Sequence, residues 1–331
     1  MSEYAVKVCK LLNIQPVPNS DNLSMAKIEG YNVIWNHNEN PYGMDRPYRE
    51  QDEIILVLED SVVPENDPRW AYLGEHRRIK AKRLRGVFSM AVITPSKPEF
   101  SLGQDVREQL GITRYTPPEP VTTGGDNEKD PGFLPHYTDI ASLRRYEDIF
   151  VPGEQVIVTE KLDGANGRWL YKDGRLWVGS HSCIKSPTSN TVWWRVAKQL
   201  DLEKKLEAFE NIAIYGEVYG YVQSLRYGAK PGEVMLAVFD AMDVRTRTYF
   251  DHDKLEQLCK VLELPMVPVI YNGPFIADVV KGIAEGKTTI KGGDNIREGV
   301  VIKPVNERFD ERLGGRVILK YVSEQYLLKK K

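Results

Sequence analysis

Short apolar or alternating runs, separated by turn residues, dominate the first third of the chain. Runs at 4–12, 25–33, 53–58 and 83–94 predict β-strands, and clusters of proline, asparagine, aspartate and glycine lie between them. Several short strands at this spacing indicate a small all-β domain, such as a barrel. We assign this domain to residues 1–112.

Residues 113–132 have the composition of a linker. They contain a Pro-Pro-Glu-Pro run and a stretch rich in glycine and charge, with almost no apolar side chain. We therefore predict a flexible connection here and a second domain over residues 133–331.

The second domain mixes strand and helix patterns. The β-branched, apolar run from Val156 to Thr159 predicts a buried strand. Asp173-Gly174 lies between two apolar runs, 169–171 and 176–178, which is the signature of a β-hairpin.

Helical spacing of apolar residues predicts helices over 191–209, 251–262 and 276–284. Residues 135–146 have the pattern of a helix start. In the first of these helices the apolar stripe is expected to be core rather than a platform for stacked bases. The stripe consists of Trp193, Trp194, Val196, Ala197 and Leu200.

Composition and charge narrow the class of protein. The chain has 331 residues and a formal net charge of −2, so it can hold two domains and is not basic overall. Cys9, Cys183 and Cys259 are far apart and show neither metal spacing nor an even disulfide set. No apolar run approaches the length of a membrane span, and the first residues lack a signal-peptide layout. We expect a cytoplasmic protein with no membrane partner.

Lys161 ends the predicted buried strand, and Gly164 just after it allows a sharp turn. A single lysine in such a place is commonly a solvated surface charge, and the alternative is a covalent nucleophile. The segments that follow in order favour the nucleophile. They are YGEVYG at 215–220, VMLAVFD at 234–240, REGVVIK at 297–303 and VILK at 317–320.

This ordered set, with K-x-D-G-x-N at 161–166, resembles the lysine-dependent nucleotidyltransferases: RNA ligases, DNA ligases and mRNA capping enzymes. The asparagine at 166 is similar to the RNA ligase version of the first motif. The resemblance covers residues 133–323. It implies an α+β protein whose second domain is an ATP-grasp-like DNA/RNA ligase nucleotidyltransferase domain of antiparallel sheets with flanking helices.

The first domain also carries a resemblance. Residues 18–27 and 82–90 are similar to the tRNA-binding OB domain attached to some aminoacyl-tRNA synthetases, which implies an N-terminal OB barrel. An OB domain in front of the nucleotidyltransferase domain resembles the small RNA ligases often called RNA ligase family 5.

The resemblance implies an ATP-dependent RNA ligase that acts in RNA repair. Lys161 takes AMP from ATP, the AMP passes to an RNA 5′-phosphate, and a 3′-hydroxyl then displaces AMP and seals the strand. Mg²⁺ or Mn²⁺, together with Lys303 and Lys320, would lower the pKa of Lys161, which is near 10.4 in a free side chain. These cations would also stabilise charge on the α-phosphate. We expect a monomer that acts on a nick in duplex RNA.

The same resemblance implies the roles of further residues. Glu217 would bind the ribose hydroxyls, Phe239 would stack on adenine, and Glu298 would hold metal-bound waters. In isolation, Glu298 would be interpreted as an ordinary salt-bridge acid and Phe239 as core. The remaining contacts with nucleotide or RNA end are assigned to Glu160, Leu162, Asn166 and Arg168.

Six of the nine residues from 77 to 85 are basic. Such a stretch suits an edge strand protected by charge, a groove that follows phosphates, or a surface that closes over ATP and orients pyrophosphate. The six residues are Arg77, Arg78, Lys80, Lys82, Arg83 and Arg85.

Two positions depart from the RNA ligase pattern. Ile318 stands where RNA ligases commonly carry the first lysine of Lys-x-Lys, and Arg316, on the same strand face, is the expected substitute for a phosphate contact. Ser180-His181 stands where Ser-Arg is common.

Two other functions remain open. A DNA ligase or a GTP-using capping enzyme would share the chemistry, but those enzymes carry a further OB domain after the last motif, and too few residues follow Lys320 for one. A non-catalytic RNA- or tRNA-binding protein, led by its OB domain, would need no reactive lysine.

Overall fold

The computed structural model describes residues 5–115 and 127–329, which fall into two compact units. The first unit holds residues 5–115, 144–146 and 327–329, and the second holds residues 127–143 and 147–326. Residues 116–126 of the predicted linker lie outside the described part of the chain.

The first unit is built from short strands. These are β1 Lys7–Lys10, β2 Gln15–Pro16, β3 Leu23–Ile28, β4 Tyr31–Asn36, β5 Glu53–Leu58, β6 Ser61–Val62, β7 Lys82–Leu84, β8 Val87–Ser89, β9 Ala91–Pro95 and β10 Thr113–Arg114, with a 3-10 helix at Pro68–Leu73.

Six of these strands form one sheet in the order β1-β5-β9-β4-β3-β2. Neighbours are antiparallel except β4 and β9, which run parallel. The two strands at the ends of this order, β1 and β2, are separated in the chain only by residues 11–14. Val8, Ile55, Val57 and Trp70 are buried in the core of the unit.

Two predicted strands of this unit are in fact hairpins. The run 25–33 turns at Glu29-Gly30, whose φ angles of 50° and 85° end β3 and start β4. A Cβ at position 30 would lie 1.9 Å from the carbonyl oxygen of Arg144. The run 83–94 turns in the same way at Arg85-Gly86, between β7 and β8. Positive φ at consecutive residues reverses the chain, which apolar periodicity alone does not reveal.

The strands of the second unit are β11 Asn127–Glu128, β12 Ala141–Ser142, β13 Gln155–Lys161, β14 Ala165–Lys172, β15 Arg175–Ser180, β16 Ile184–Lys185, β17 Ile212–Gly220, β18 Val234–Asp243, β19 Thr248–Tyr249, β20 Val269–Pro274, β21 Gly299–Pro304, β22 Phe309–Asp310, β23 Gly315–Arg316 and β24 Leu319–Val322. The helices within residues 127–329 are α1 Val192–Gln199, α2 Leu202–Glu207, α3 His252–Val261, α4 Ala277–Ala284 and α5 Glu324–Lys329, with a 3-10 helix at Glu147–Ile149.

Two sheets dominate the second unit. One has seven strands in the order β11-β16-β15-β14-β17-β18-β19, and the other has five in the order β12-β24-β21-β13-β20. Neighbours are antiparallel except β12 and β24. Helices α1, α2 and α3 cover one face of the larger sheet through a core that includes Trp193, Val196 and Leu255. Residues from both sheets, among them Tyr215 and Val301, share a smaller core, together with Ile318 just before β24.

Several predictions for this unit are confirmed. The strand at 156–159 is β13, the hairpin at Asp173-Gly174 joins β14 to β15, and the helices at 251–262 and 276–284 are α3 and α4. The tryptophan stripe of α1 is buried as expected.

Two predictions for the unit are wrong. The helix expected over 191–209 is divided into α1 and α2, because Asp201 adopts the left-handed conformation with φ 53° and ψ 44°. The helix start expected at 135–146 is not helical, because Ala141 and Ser142 instead pair with Leu319 and Lys320 as strand β12. Within the described residues, no helix is both long and apolar enough to cross a lipid bilayer.

Candidate active site

Strand β13 carries Lys161 at its carboxyl end and lies between β21 and β20 in the five-stranded sheet. Lys161 is paired with Gly299 of β21, and Lys303 lies four residues further along β21. Between them, Val301 is paired with Lys320 of β24. Residues paired across neighbouring strands point to the same face of a sheet, and so does every second residue along one strand. The side chains of Lys161, Lys303 and Lys320 therefore lie on one face of this sheet.

The seven-stranded sheet contributes acidic and aromatic residues through β17 and β18. Gly216 is paired with Val238 but Tyr215 is paired with Asp240, so Phe239 is the extra residue of a β-bulge. The bulge brings Asp240, rather than Phe239, opposite Tyr215, on the sheet face that also bears Glu217. A bulge beside a site re-aims side chains in this way.

The ammonium of Lys161 forms an ion pair with Glu298, with 2.7 Å between Nζ and Oε1. Burial disfavours the charged ammonium, but the carboxylates of Glu298 and Glu217 and the hydrogen bond to Glu298 outweigh it and raise the pKa of Lys161. This direction is opposite to the one expected from the sequence. The largest contributions to this pKa come from burial and from three carboxylates, the third being Asp163, rather than from the expected neighbours Lys303 and Lys320.

Glu217 is the second carboxylate beside Lys161. Burial raises the pKa of Glu217 to about 8, with Lys161 opposing the rise and Glu298 adding to it. Like charges close together cannot all ionise at low cost. At neutral pH Glu217 therefore favours its protonated form, while Lys161 is paired with Glu298.

The turn after Lys161 is fixed by Asp163, a residue that the sequence-based assignment of roles left out. Its backbone N–H donates to the hydroxyl of Tyr227 at 2.7 Å. Its carboxylate accepts from Ser224 Oγ at 2.8 Å and from the N–H of Leu225 at 3.1 Å. The sequence signal that could have identified Asp163 is its position as the aspartate of the K-x-D-G motif.

Glu160, the residue before Lys161, is fully buried. Its Oε2 accepts from both N and Oγ1 of Thr289 at 2.7 Å. Its Oε1 is buried with no hydrogen-bond partner in the described residues, and so is Oδ1 of Asn166. Leu162 packs in a small apolar cluster with Tyr219. These two buried acceptors, in the segments on either side of the Lys161 turn, are available to a ligand.

Arg297 supports this side of the site. Its guanidinium donates to the carbonyls of Ile283, Glu285 and Lys287, and its Nε lies 3.7 Å from Oε2 of Glu160. Arg297, which directly precedes Glu298, thus holds the backbone of residues 283–287 in place by hydrogen bonds.

Lys303 takes part in a buried ionic network. Its Nζ lies 3.1 Å from Oδ1 of Asp240, and Oδ2 of Asp240 accepts from Arg316 Nη1 at 2.6 Å and from Tyr137 at 2.8 Å. Arg316 also donates from Nε to Glu307 at 2.8 Å. In this conformation Arg316, predicted as a phosphate contact, is bound to two carboxylates instead.

Two other residues predicted to contact the nucleotide, Phe239 and Arg168, differ in how exposed their side chains are. Phe239 is half-buried and packs edge-on against Tyr137, with ring centroids 4.9 Å apart. Arg168 is completely buried, and its guanidinium donates to the carbonyls of Ser180 and Leu134. Arg168 therefore ties backbone segments together and has no exposed donor in this conformation.

The basic stretch 77–85 lies in the first unit and is not uniform. Arg78 donates to Asp60 at 2.8 Å and stacks over Tyr115 at 3.7 Å, and Arg77 donates to the carbonyl of Trp70. Four others lie exposed on or just before the β7–β8 hairpin: Lys80, Lys82, Arg83 and Arg85.

No group of three or more histidine, cysteine or acidic residues within the described ranges can hold a metal ion alone. A hydrated Mg²⁺ or Mn²⁺ that arrives with substrate phosphates needs only one or two protein carboxylates. Glu298, with Glu217 next to it, fits that requirement.

Comparisons with known proteins identify similar chains. A family model described as RNA ligase matches residues 154–322, about half of the chain. An RNA ligase from Naegleria gruberi solved with PPi is 23% identical, has a TM-score of 0.83, and the match covers 100% of this chain and 99% of that one. No curated protein matches.

Two further structures of the Naegleria gruberi ligase have the same fold. A lysine-to-alanine variant with ATP and Mn is 22% identical, with a TM-score of 0.82 and 98% of each chain covered. A lysine-to-methionine variant with AMP and Mn is 22% identical, with a TM-score of 0.82 and 99% of each chain covered.

Proposed function

Because the chain belongs to the RNA ligase family, we propose that it is an ATP-dependent RNA ligase that joins 5′-phosphate and 3′-hydroxyl ends through a lysyl-AMP at Lys161. The observation that carries this proposal is the 2.7 Å ion pair of Lys161 with Glu298 at the end of a buried central strand. The Naegleria ligase structures with ATP, AMP and Mn support the choice of nucleotide and metal.

In the first step, the neutral Nζ of Lys161 attacks the α-phosphorus of ATP. The N–P bond forms as the bond to the bridging oxygen breaks, and pyrophosphate leaves. An oxygen of the RNA 5′-phosphate then displaces Lys161 from that phosphorus. Finally the 3′-hydroxyl attacks the 5′-phosphorus, loses its proton and releases AMP.

The first step requires that Lys161 lose a proton, and the ion pair with Glu298 opposes this. A divalent ion held by Glu298 through water would neutralise charge on the triphosphate and compete with the ammonium for this carboxylate. Glu160 and Asn166 supply buried acceptors for the nucleotide, Glu217 faces the ribose, and Phe239 stacks on adenine. Lys303 and Lys320, on the face that bears Lys161, stabilise phosphate charge.

The first unit is proposed to be an OB barrel. The two strands at the ends of its sheet order, β1 and β2, follow each other in the chain. This is the arrangement expected when a long, bent first strand pairs at both edges of the sheet and closes a barrel. The single parallel pair, β4 with β9, suits the Greek-key path of that fold. The exposed strand β7 and the turn after it offer Lys82, Arg83 and Arg85 to RNA or pyrophosphate.

The substrate is proposed to be a nicked RNA duplex, and the enzyme a monomer. Ligation assays on a nicked RNA duplex, a nicked DNA duplex, a stem-loop and free single strands would rank the substrates. Sedimentation would give the oligomeric state.

The test of the proposed function is incubation of the protein with α-labelled ATP and Mg²⁺ or Mn²⁺, followed by denaturing electrophoresis. Label should migrate with the wild-type protein and be absent from Lys161→Ala. The control is Lys172→Ala, which removes a lysine from β14, the next strand along the chain, and should keep the label. Label from GTP alone would indicate capping chemistry, and no label from either nucleotide would refute the proposal.

A further inference from the structure

Two surface loops of the second unit pack against each other beside the Lys161 turn. Tyr227 N–H in loop 221–230 donates to Oδ1 of Asn295 in loop 286–295 at 3.1 Å. A Cβ at Gly228 would lie 2.4 Å from the carbonyl oxygen of Gly292, so the two backbones are in direct contact. The loops therefore form one continuous surface.

This surface is tied to the active-site turn. Asp163, two residues after Lys161, bonds to Ser224, Leu225 and Tyr227 of the first loop. Leu225 and Ile290, one from each loop, pack on the apolar cluster that contains Leu162. Their inward packing leaves the residues that follow each of them on the outside.

Those following residues are cations. Arg226 and Lys291 are exposed, and Lys230 and Lys287 are exposed nearby in the same loops. None of the four side chains forms an ion pair with a carboxylate in the described residues, and the two loops contain a single acid, Asp294.

An aromatic ring accompanies the cations. The guanidinium of Arg226 stacks over the ring of Tyr221 at 4.2 Å, and Tyr221 is partly exposed. Unpaired cations beside an exposed aromatic face are the features that bind a nucleic-acid strand, since the cations neutralise phosphates and the ring supports a base or ribose.

We propose that the surface formed by loops 221–230 and 286–295 is an RNA-binding surface that guides the phosphate backbone of the substrate to Lys161. This inference rests on the proposed function, because the chemistry at Lys161 defines which end must arrive there. It concerns residues outside all the motifs from which that function was derived. The backbone hydrogen bonds that shape the loops are already formed, so binding needs little further ordering.

The experiment compares Arg226→Ala/Lys291→Ala with a matched control, Lys198→Ala/Lys204→Ala, which removes two exposed lysines from helices α1 and α2. Fluorescence anisotropy with a labelled, 5′-phosphorylated nicked RNA duplex gives the affinity over a range of salt concentrations. Thermal unfolding checks that each variant is folded.

The loop variant should bind RNA about tenfold or more weakly at low salt. Its log–log salt slope should fall by about 2, roughly one for each phosphate that the protein no longer neutralises. The control should match the wild type. An unchanged slope in the loop variant, or an equal decrease in the control, would overturn the inference.

A decrease in ATP affinity without a decrease in RNA affinity would also overturn the inference, because it would assign the loops to the triphosphate. Labelling of the wild-type protein with ATP tests the proposed function separately.

Discussion

Nζ of Lys161 and Oε1 of Glu298 lie 2.7 Å apart, although 137 positions separate the two residues in the chain. The pairing of Lys161 with Gly299 across β13 and β21 brings them together. The ion pair stabilises the ammonium form of the lysine, whereas the proposed chemistry needs the free amine. The proposed chemistry therefore requires that substrate binding shift Lys161 from the ammonium to the free amine.

The rate of lysyl-AMP formation should rise with pH. The pKa of Lys161 is raised above 10.5 in the nucleotide-free protein, so the neutral fraction grows up to about tenfold per pH unit below that value. Single-turnover labelling with ATP well below saturation, from about pH 6 to 9, reports the ionisation of the free protein and measures this dependence. A plateau that starts below neutrality would contradict it.

Glu298→Gln should have two opposite effects on Lys161. The loss of the nearest carboxylate lowers the pKa of Lys161, which should make the lysine more reactive toward an amine-modifying reagent at neutral pH. Transfer of AMP from ATP should nevertheless fall by about 100-fold or more, because the group that organises charge at the α-phosphate is gone. Peptide mass spectrometry and ATP labelling report the two effects, and Glu256→Gln on α3 is the control.

Asp240→Asn should destabilise the second unit strongly. The substitution removes the carboxylate nearest to the buried ammonium of Lys303 and leaves Glu307 beside both Lys303 and Arg316. The loss should lower the free energy of unfolding by about 3 kcal/mol. The control is Asp243→Asn, which removes a carboxylate from a pair with the exposed Arg245 on the same strand and should cost far less. Urea unfolding of both variants measures the difference.

The same network predicts a pH dependence of stability. Burial disfavours the charged form of Asp240, but Arg316 and Lys303 outweigh it and lower its pKa. Its contribution is therefore present above the ordinary aspartate pKa and is lost as the pH falls through the lowered value. The wild-type protein should lose stability on acidification more steeply than Asp240→Asn. Equal acid dependence of the two proteins would contradict this assignment.

Tyr227→Phe should slow lysyl-AMP formation about tenfold. The variant keeps the ring in its apolar cluster but removes the hydroxyl that accepts the N–H of Asp163, which leaves a donor unpaired in the turn after Lys161. Tyr271→Phe, on the edge strand β20, removes a hydroxyl bound to the carbonyl of Pro274 and should not change the rate. Equal rates for Tyr227→Phe and the wild type would show that the turn needs no such support.

The sequence by itself determined the elements whose signals are local. The apolar run of β13, the Asp173-Gly174 turn and the spacing of α3 and α4 depend on neighbouring residues, so periodicity and turn chemistry predicted them. The same apolar run predicted that Lys161 ends a buried strand, and β13 does end at Lys161. The order of the motifs indicated the family, whose model matches residues 154–322.

Only the tertiary structure decided which charges meet. The bulge at Phe239 sends Asp240 toward Lys303, and Arg316 binds Asp240 instead of lying open to phosphate. The raised pKa of Lys161 depends in the same way on Glu298, a residue distant in the chain. Coulomb interactions depend on separation and burial in space, which a residue's sequence neighbours do not specify.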